Sequence, residues 1–277
     1  MRFNKVLIVG AGLIGGSIGL ALKKKGIAKE IIAVGRRKSS IRKAMKLGAI
    51  DRGGLCIEDC VKDAEFAVIS TPACLVPGYT AKVLSLNPDC IITDVASTKS
   101  DILRDISKLR GKERFIGSHP MAGSEKSGVE FARDNIFQDS VCVITPVKWT
   151  NNRFLKIVSG FWESIGCRVR LIGPSEHDRL VSMFSHLPHI VACCLISSVK
   201  EKDSWISSTG FRNATRLASA DSVMWRDICI TNKREILNSL EKFKKHLQKI
   251  KYIIEKDKWD SLHKFFEDVK NKRERIV

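Results

Sequence analysis

The sequence predicts an α/β fold in which a doubly wound parallel sheet is followed by an all-helical domain. Strand-like apolar runs alternate with helix-like segments through the first half of the chain, and no convincing strand pattern follows Pro174. Alternation at these lengths builds a parallel sheet that is covered by helices on both faces. We therefore place a domain boundary near Gly173, which assigns residues 1–173 to the α/β domain and residues 174–277 to the helical domain.

The predicted strands and helices follow one another in regular order. The buried strand runs are KVLIVG, EIIAVG, FAVIS, CIITDV and RFIGS. Helices are predicted over residues 13–25, 39–47, 76–86 and 100–109. Two further apolar runs, VCVITP and CRVRLIG, precede the domain boundary. A sheet of this kind opens its ligand crevice at the carboxyl ends of the strands.

The second domain shows only long helical patterns, which Pro188 and the loop SSTGFRNATR interrupt. In one of these patterns the apolar positions are spaced as one face of a packed helix requires. They are Ile236, Leu240, Phe243, Leu247, Ile250 and Ile254. Apolar stripes of this extent exceed what one small core needs. We therefore expect a homodimer that forms through the C-terminal helices.

The composition is that of a folded chain with a strong excess of basic residues. The chain has 277 residues, of which 44% are hydrophobic, and this suffices for sizeable cores. Its formal net charge of +18 raises nucleic acid, a membrane surface or an anionic small molecule as partners. The lysines are densest along EKFKKHLQKIK, on the outer face of the predicted helix, without the interleaved aromatic residues of single-strand binders. We expect a solvated basic surface, with no nucleic-acid or membrane partner.

The apolar runs and the cysteines bear on the compartment. No apolar run reaches the roughly 18 residues that a membrane span needs. The nine cysteines are odd in number, show no CxxC spacing and lie mostly in apolar surroundings. Buried free thiols in a reducing compartment have this pattern. We expect a soluble, cytoplasmic protein with neither disulfides nor a thiolate metal site.

The segment VGAGLIGGS places Gly10, Gly12 and Gly15 in a G-x-G-x-x-G pattern between the first strand and the first helix. The first glycine permits a tight turn, the second lets the backbone approach a pyrophosphate, and the third lets helix and strand pack closely. The helix N-terminus supplies N–H groups to the phosphates. The sequence therefore predicts a Rossmann-type dinucleotide site, to which Leu13 and Ile14 of the same turn also belong.

The end of the second strand indicates which dinucleotide binds. An NAD-preferring fold usually carries Asp or Glu there, and this chain has Gly35. Arg36, Arg37 and the hydroxyl of Ser39 follow, a set suited to a 2′-phosphate. We therefore predict NADP over NAD. The alternative is that the two arginines only add to the basic surface.

Further polar loops follow the later strands at the predicted crevice. Ser70, Thr71 and Pro72 end one strand and should border the cofactor, whereas Ser97 follows the next strand toward the nicotinamide. The loop GSHPMAGSEKSG, turned at Pro120, carries a histidine at position 119. A hydroxyl that orients His119 would let it take a proton from a substrate alcohol as hydride leaves. A purely structural turn is the alternative.

The motifs GAGLIGGS, TDVASTK, GSHPMAGSEKSG, SHLPH, GFRNATR and MWRDI occur in this order over nearly the whole chain. Together they resemble the prephenate/arogenate dehydrogenases of tyrosine biosynthesis, in a form that lacks a regulatory domain. The resemblance implies oxidative decarboxylation of prephenate to 4-hydroxyphenylpyruvate or of arogenate to tyrosine. It implies that His119 deprotonates the ring hydroxyl with Ser97 as its partner, and that Arg216 clamps a substrate carboxylate. The other implied substrate-binding residues are His186, His189, Ser124, Glu125 and, as a weaker candidate, Arg212.

Several alternatives stay open at this point. His186 and His189 lack a third ligand at suitable spacing, so no metal site is expected. The choice between the keto and the amino substrate is undecided. Another NADP-dependent dehydrogenase, of the hydroxyacid dehydrogenase or imine reductase type, would share the glycine turn but leave the His119 loop unexplained. A non-enzymatic, basic nucleic-acid-binding protein is the alternative of a different class.

Overall fold

The computed structural model of the protein describes residues 1–123 and 126–276. By its internal contacts the chain forms two compact units, Met1–Lys233 and the residues from Arg234 onward. The expected domain boundary near Gly173 lies inside the first unit and stays a prediction.

A six-stranded sheet forms the centre of the first unit, with the strand order β3-β2-β1-β4-β5-β6 and every neighbouring pair parallel. Its strands are β1 (Phe3–Val9), β2 (Ala28–Val34), β3 (Arg52–Gly54), β4 (Phe66–Ile69), β5 (Ile91–Asp94) and β6 (Phe115–Ile116). This order confirms the predicted doubly wound sheet, in which β1 and β4 flank the point where the strand order reverses. The short edge strand β3 was not predicted.

Both faces of the sheet are covered, which explains why the buried stretches of its inner strands, such as VLIV in β1 and FAVI in β4, are continuous apolar runs. Along β1, Val6 and Ile8 pack into one buried cluster, whereas Leu7 and Val9 pack into another. The covering helices include α1 (Leu13–Lys24), α2 (Lys38–Lys46), α3 (Val76–Leu86) and α4 (Ser100–Ile106). The predicted helices are therefore confirmed, although the fourth ends three residues early.

A second sheet of three strands joins the first unit beside β6. It consists of β7 (Ser118–Pro120), β8 (Val141–Ile144) and β9 (Arg168–Leu171), and α5 (Asn152–Ser164), which was not predicted, connects the last two. Strand β7 is antiparallel to β8, and β8 is parallel to β9.

The predicted strand RFIGS is split between the two sheets at Gly117. A Cβ atom on Gly117 would lie 2.8 Å from Thr145 Oγ1, so the crossing has no room for a side chain. The following residues, including His119, pair with β8. The expected turn at Pro120 is wrong, since Pro120 ends β7; an edge strand tolerates a residue that lacks an N–H donor.

The rest of the first unit is helical, and no strand follows Leu171 in the described part of the chain. Its helices are α6 (Pro174–Val181), α7 (Leu187–Ser197), α8 (Thr209–Thr215) and α9 (Ser222–Thr231). A π-helical turn, Ser182–His186, joins α6 to α7. Single π turns of this kind occur often at functional sites.

One helical stretch of the described residues, Pro174–Ser197, is long and apolar enough to cross a membrane by length and composition alone. The expectation that nothing in the sequence reaches this length therefore needs correction, because two helices run on through the π turn. A core helix of a globular protein passes the same test, and this stretch carries the buried polar residues His177, Asp178 and His186.

The second unit contains the helices α10 (Lys233–Glu255) and α11 (Trp259–Ile276). The predicted amphipathic helix is thus confirmed in α10. Large apolar side chains are exposed along both helices of the single chain: Leu237, Leu247, Tyr252, Ile254, Trp259, Phe266 and Val269.

Candidate active site

The glycine turn between β1 and α1 has the geometry that a dinucleotide needs. Gly10 has φ +102°, and a Cβ atom there would lie 2.3 Å from the Ser70 carbonyl oxygen. A Cβ atom on Gly15 would lie 2.1 Å from the Gly10 carbonyl oxygen. Around Gly12, by contrast, the Cβ position has no heavy atom within 4 Å, and the first turn of α1 carries no acidic side chain. The turn therefore leaves open space for a pyrophosphate in front of the N–H groups of α1.

The other predicted cofactor residues lie around the same crevice. Leu13 and Ile14 begin α1 and are half-buried. Ser70, Thr71 and Pro72 directly follow β4, and the Ser70 N–H donates to the Val9 carbonyl oxygen at 2.7 Å. These contacts bring the ends of β1 and β4 together, at the reversal point where open α/β sheets bind their ligands.

The end of β2 presents cations rather than an acid. Arg36, Arg37 and Ser39 are exposed, and Arg37 immediately precedes the first residue of α2. Neither arginine forms an ion pair with another residue in the described chain. At Gly35 a Cβ atom would lie 2.9 Å from Ile41 Cδ1, so an acidic side chain there would require Ile41 to move.

His119 lies in β7 as the first member of a buried hydrogen-bond chain. Its Nδ1 is 2.9 Å from His177 Nε2, and His177 Nδ1 is 2.8 Å from Asp178 Oδ1. All three side chains are buried. No hydrogen bond of His119 Nε2 is found within the described residues. The chain therefore leads from a buried carboxylate to an imidazole nitrogen that has no protein partner there.

Backbone groups at the start of α4 anchor the far end of this chain. The N–H of Lys99 donates to Asp178 Oδ1 at 2.9 Å, and the N–H of Ser100 donates to Asp178 Oδ2 at 2.8 Å. Asp178 is thus fixed to the helix that follows β5. The Asn232 amide donates to the Asp178 carbonyl oxygen at 2.9 Å, which ties the same residue to the end of α9.

A fully buried ion pair lies directly beside the chain. Lys99 Nζ donates to Asp94 Oδ2, and the N–H of Ser118 donates to Asp94 Oδ1 at 2.9 Å. Both partners are shielded from solvent. The pair therefore connects the end of β5 to the residue before His119, and it holds a positive charge close to the imidazole.

These surroundings determine the charge of the site. Burial lowers the pKa of His119 well below its usual value, and His177, Lys99 and His186 lower it further. For Asp178, burial alone would raise the pKa, but the hydrogen bonds from His177 and Ser100 outweigh it and the pKa is lowered. Near neutral pH the site therefore holds a neutral His119 and an ionised Asp178.

A second group of polar side chains lies along α7 and α9. The His189 ring stacks on Trp225 with ring centroids 3.4 Å apart and planes within 3° of parallel. His186 Nδ1 is 3.2 Å from the Asn232 amide nitrogen, and burial lowers the pKa of His186 to about 4. The buried atoms His186 Nε2 and Trp225 Nε1 have no hydrogen-bond partner in the described part of the chain. Unpaired polar atoms in a buried position are suited to a polar ligand.

The remaining predicted site residues are not part of the hydrogen-bond chain of His119. Ser97 is half-buried between β5 and α4 and makes no hydrogen bond to His119, whose partner is His177 instead. Arg212 is exposed and donates to the Ser207 carbonyl oxygen at 2.9 Å. Arg216 is exposed at the end of α8, in a turn that packs against α7. Ser124 and Glu125 lie outside the described residues.

Comparison with known proteins identifies the family. Residues 18–171 match the model of the prephenate dehydrogenase nucleotide-binding domain, and residues 173–268 match that of the prephenate dehydrogenase dimerization domain. A prephenate dehydrogenase of Bacillus subtilis (strain 168) is 33% identical over 98% of this chain and 76% of that protein. The chain belongs to the prephenate dehydrogenase family. It is accordingly an oxidoreductase of the class that oxidatively decarboxylates its substrate.

Other members of the prephenate dehydrogenase family are similar along the whole chain. A cyclohexadienyl dehydrogenase of Zymomonas mobilis is 29% identical over 98% of this chain and 95% of that protein. The structure of prephenate dehydrogenase from A. aeolicus in complex with hydroxyphenyl propionate and NAD+ matches with a TM-score of 0.93 and 35% identity, covering 100% of this chain and 99% of that one. Synechocystis arogenate dehydrogenase matches with a TM-score of 0.79 and 29% identity, covering 99% and 100%.

Within this family member, sequence reasoning missed the residues that support His119. His177 and Asp178 follow Pro174 in an ordinary polar helix start, and they are 58 and 59 positions from His119. Lys99 and Asp94 lie inside the motif TDVASTK, whose local pattern indicates no role for either residue. The adjacent His-Asp pair near the start of a helix was the one local sign in the sequence of these supporting residues. Only the fold brings this pair next to β7.

Other ligands would need a metal-binding cluster or a further cavity among the described residues. No three His, Cys, Asp or Glu side chains in them are grouped so as to hold a metal ion. A cavity of about 830 Å³ lies between α7 and α8 and is lined by residues that include Ile196, Phe211 and Arg212. None of the lining residues belongs to the His119 chain, so this cavity is not the centre of the proton chemistry.

Proposed function

We propose that the chain is an NADP-dependent dehydrogenase that oxidatively decarboxylates prephenate or arogenate, in the synthesis of tyrosine. The observation that carries this proposal is the buried, neutral His119, whose Nε2 makes no hydrogen bond within the described residues and which lies close to the carboxyl ends of β5 and β6. A general base for a ring hydroxyl needs such a nitrogen near the nicotinamide end of the crevice.

The chemistry requires few catalytic groups. When NADP is bound, its nicotinamide accepts the hydride from the substrate ring. His119 Nε2 accepts the proton of the ring hydroxyl, and the ring carboxylate leaves as carbon dioxide. Formation of an aromatic ring drives that loss, so the protein chiefly aligns the substrate and takes up one proton. Because the pKa of His119 is lowered, its base form is populated at neutral pH.

The substrate's polar ends require separate groups. Arg216 is our candidate for a carboxylate, since a guanidinium binds carboxylates in a two-pronged manner. His186 and His189, with the neighbouring Trp225, are candidates for the side-chain end of the substrate because they offer buried polar atoms beside a stacked pair. We keep Ser97 as a candidate partner of His119 in the loaded enzyme, and we assign Ser124, Glu125 and Arg212 to the pocket's border.

The preference for NADP rests on the end of β2. Arg36 and Arg37 are exposed cations without an ion-pair partner in the described residues, and Ser39 lies in the first turn of α2. A 2′-phosphate would be bound by these groups, whereas the ribose hydroxyls of NAD would find no carboxylate there. The related A. aeolicus enzyme holds NAD+, so the preference is proposed for this chain alone.

A homodimer is the proposed assembly. The match of residues 173–268 to a dimerization domain supports it, and so do the apolar side chains exposed along α10 and α11. We also propose the cytoplasm as the compartment, because all nine cysteines lie in the described residues and are free.

The test is an absorbance assay for reduced cofactor with the purified protein. NADP and NAD are each combined with prephenate and with arogenate. We expect turnover with NADP and at least one substrate, and the better substrate identifies the side chain that the pocket accepts. Turnover only with NAD would overturn the cofactor assignment. No turnover in any combination, with folded protein and intact substrates, would overturn the proposed function.

A further inference from the structure

The hydrogen-bond chain His119–His177–Asp178 has a chemical consequence beyond packing. We infer that His177 and Asp178 are positioning residues, which hold His119 as the tautomer with a proton on Nδ1 and a lone pair on Nε2. The inference rests on the proposed function, because it explains how this imidazole is prepared to act as a base. Neither residue touches the substrate in this account; both act through His119.

The assignment begins at Asp178, which offers only acceptors when ionised. Three donors converge on its carboxylate: His177 Nδ1 and the backbone N–H groups of Lys99 and Ser100. A lone pair on His177 Nδ1 would face the carboxylate oxygen at 2.8 Å without a proton between them. The proton of a neutral His177 therefore lies on Nδ1, and its lone pair lies on Nε2.

The same argument then passes to His119. Its Nδ1 lies 2.9 Å from His177 Nε2, and one of these two nitrogens has to donate. Since His177 Nε2 is the acceptor, His119 Nδ1 carries the proton, and the lone pair of a neutral His119 is on Nε2. A carboxylate that fixes an imidazole tautomer is an established device of general-base catalysis, here extended by one additional imidazole.

Some neighbouring charges favour and others oppose the positive charge that His119 gains when it takes up a proton. When His119 takes up a proton on Nε2, its Nδ1–H bond to His177 is kept, and the carboxylate of Asp178 favours the new positive charge. Lys99 and His186 oppose it. Among the described residues, the charged and titratable groups that face the two imidazoles are Asp178, Lys99 and His186, and Lys99 is itself paired with Asp94. Protonation of His177 itself would reverse the bond to His119 and place the His119 proton on Nε2, the wrong nitrogen for a base.

The direct test is a nitrogen-15 spectrum of protein labelled at histidine, recorded without substrate near pH 8. The His119 signals are assigned by comparison with His119→Asn. We expect His119 Nδ1 to appear as the protonated nitrogen and Nε2 as the unprotonated one. A wild-type His119 with its proton on Nε2 would overturn the inference.

Variants then connect the tautomer to activity. In Asp178→Asn the amide can donate to His177 Nδ1, which moves the proton of His177 to Nε2 and that of His119 to Nε2. We expect this switch in the spectrum and a fall in kcat of about 10²- to 10⁴-fold with far smaller changes in KM. Loss of kcat with the wild-type tautomer retained would contradict a positioning role. Glu176→Gln removes an exposed carboxylate two residues away and serves as the matched control.

A second pair of variants leaves the backbone bonds of Asp178 untouched. In His177→Gln the side-chain oxygen can still accept from His119 Nδ1–H, whereas His177→Leu has no acceptor. We expect His177→Gln to keep the Nδ1–H tautomer and to retain clearly more activity than His177→Leu. Equal losses in the two variants would overturn the inference. Because the spectrum needs no turnover, failure of the proposed function would show separately, as absence of activity in the wild-type protein.

Discussion

The two ends of the predicted crevice hold their charges in opposite ways. Around His119 the charged groups are buried and paired: Lys99 with Asp94, and Asp178 with three hydrogen-bond donors. At the end of β2, Arg36 and Arg37 are exposed to solvent. Buried groups have strong mutual effects because little water screens them, whereas exposed groups are screened. Single substitutions should therefore have large effects at the first end and small effects at the second.

The largest expected effect is on catalysis, at the buried end. His119→Asn keeps an amide donor near the position of Nδ1 but removes the nitrogen that we assign as the base. We expect kcat to fall by about 10²- to 10⁴-fold while the KM values change much less. Steady-state kinetics check this, with thermal unfolding as the control for the fold. A kcat close to the wild-type value would show that another group accepts the proton.

Next in size is the effect of breaking the buried ion pair. Lys99→Met leaves the carboxylate of Asp94 buried without its cationic partner. We expect the free energy of unfolding to fall by about 3–5 kcal/mol, measured by urea denaturation. Lys108→Met is the matched control, since it breaks an exposed pair with Asp105, for which about 0–1 kcal/mol is expected. Similar losses in both variants would contradict the contrast between buried and exposed charges.

The pH dependence of stability sharpens the same comparison. The pKa of His186 is lowered to about 4 in the folded protein, against an ordinary value of about 6.5 in the unfolded chain. The contribution of His186 to the free energy of unfolding is therefore complete above pH ~6.5. It is lost as the pH falls from about 6.5 to about 4, because the unfolded chain takes up the proton first. This loss amounts to about 3 kcal/mol for His186. The lowered pKa values of His119 and His189 add to the slope.

Urea denaturation at a series of pH values measures that slope. His186→Gln keeps an amide that can pair with Asn232, and it should show a decline smaller by about 3 kcal/mol between pH 7 and pH 4. An unchanged slope would mean that His186 takes up its proton equally in both states.

Much of the fold could be predicted because the sheet is buried on both faces. Continuous apolar runs such as FAVI in β4 identify such strands regardless of what packs on them. The split at Gly117 could not be predicted in this way, because the run is apolar on both sides of it. The requirement for glycine at this crossing comes from Thr145, 28 positions later, because a Cβ atom on Gly117 would lie 2.8 Å from its Oγ1.

The candidate site was predictable where a local motif carries the chemistry. The glycine turn is of this kind, since strand, turn and helix are neighbours in the sequence. The partner of His119 is not, because His177 reaches it only through the packing of α6 against the start of α4. The position of Ser97 after β5 predicts that it lies next to His119. In the structure, however, the residue beside the imidazole is Lys99, two positions further along the same loop. Distances of this size depend on tertiary packing, which no local pattern records.

The smallest expected effect is at the exposed end, where the cofactor preference is tested. In the double variant Arg36→Ala/Arg37→Ala we expect kcat/KM for NADP to fall by about 10- to 100-fold, since charge-assisted hydrogen bonds contribute about 1.5–3 kcal/mol and exposure reduces this. The value for NAD should stay unchanged because NAD has no 2′-phosphate. Lys46→Ala, which removes a charge from the far end of α2, is the matched control. Equal losses for both cofactors would mean that the arginines attract anions in general and do not recognise the 2′-phosphate. The two ends of the crevice would then differ only in how strongly water screens their charges.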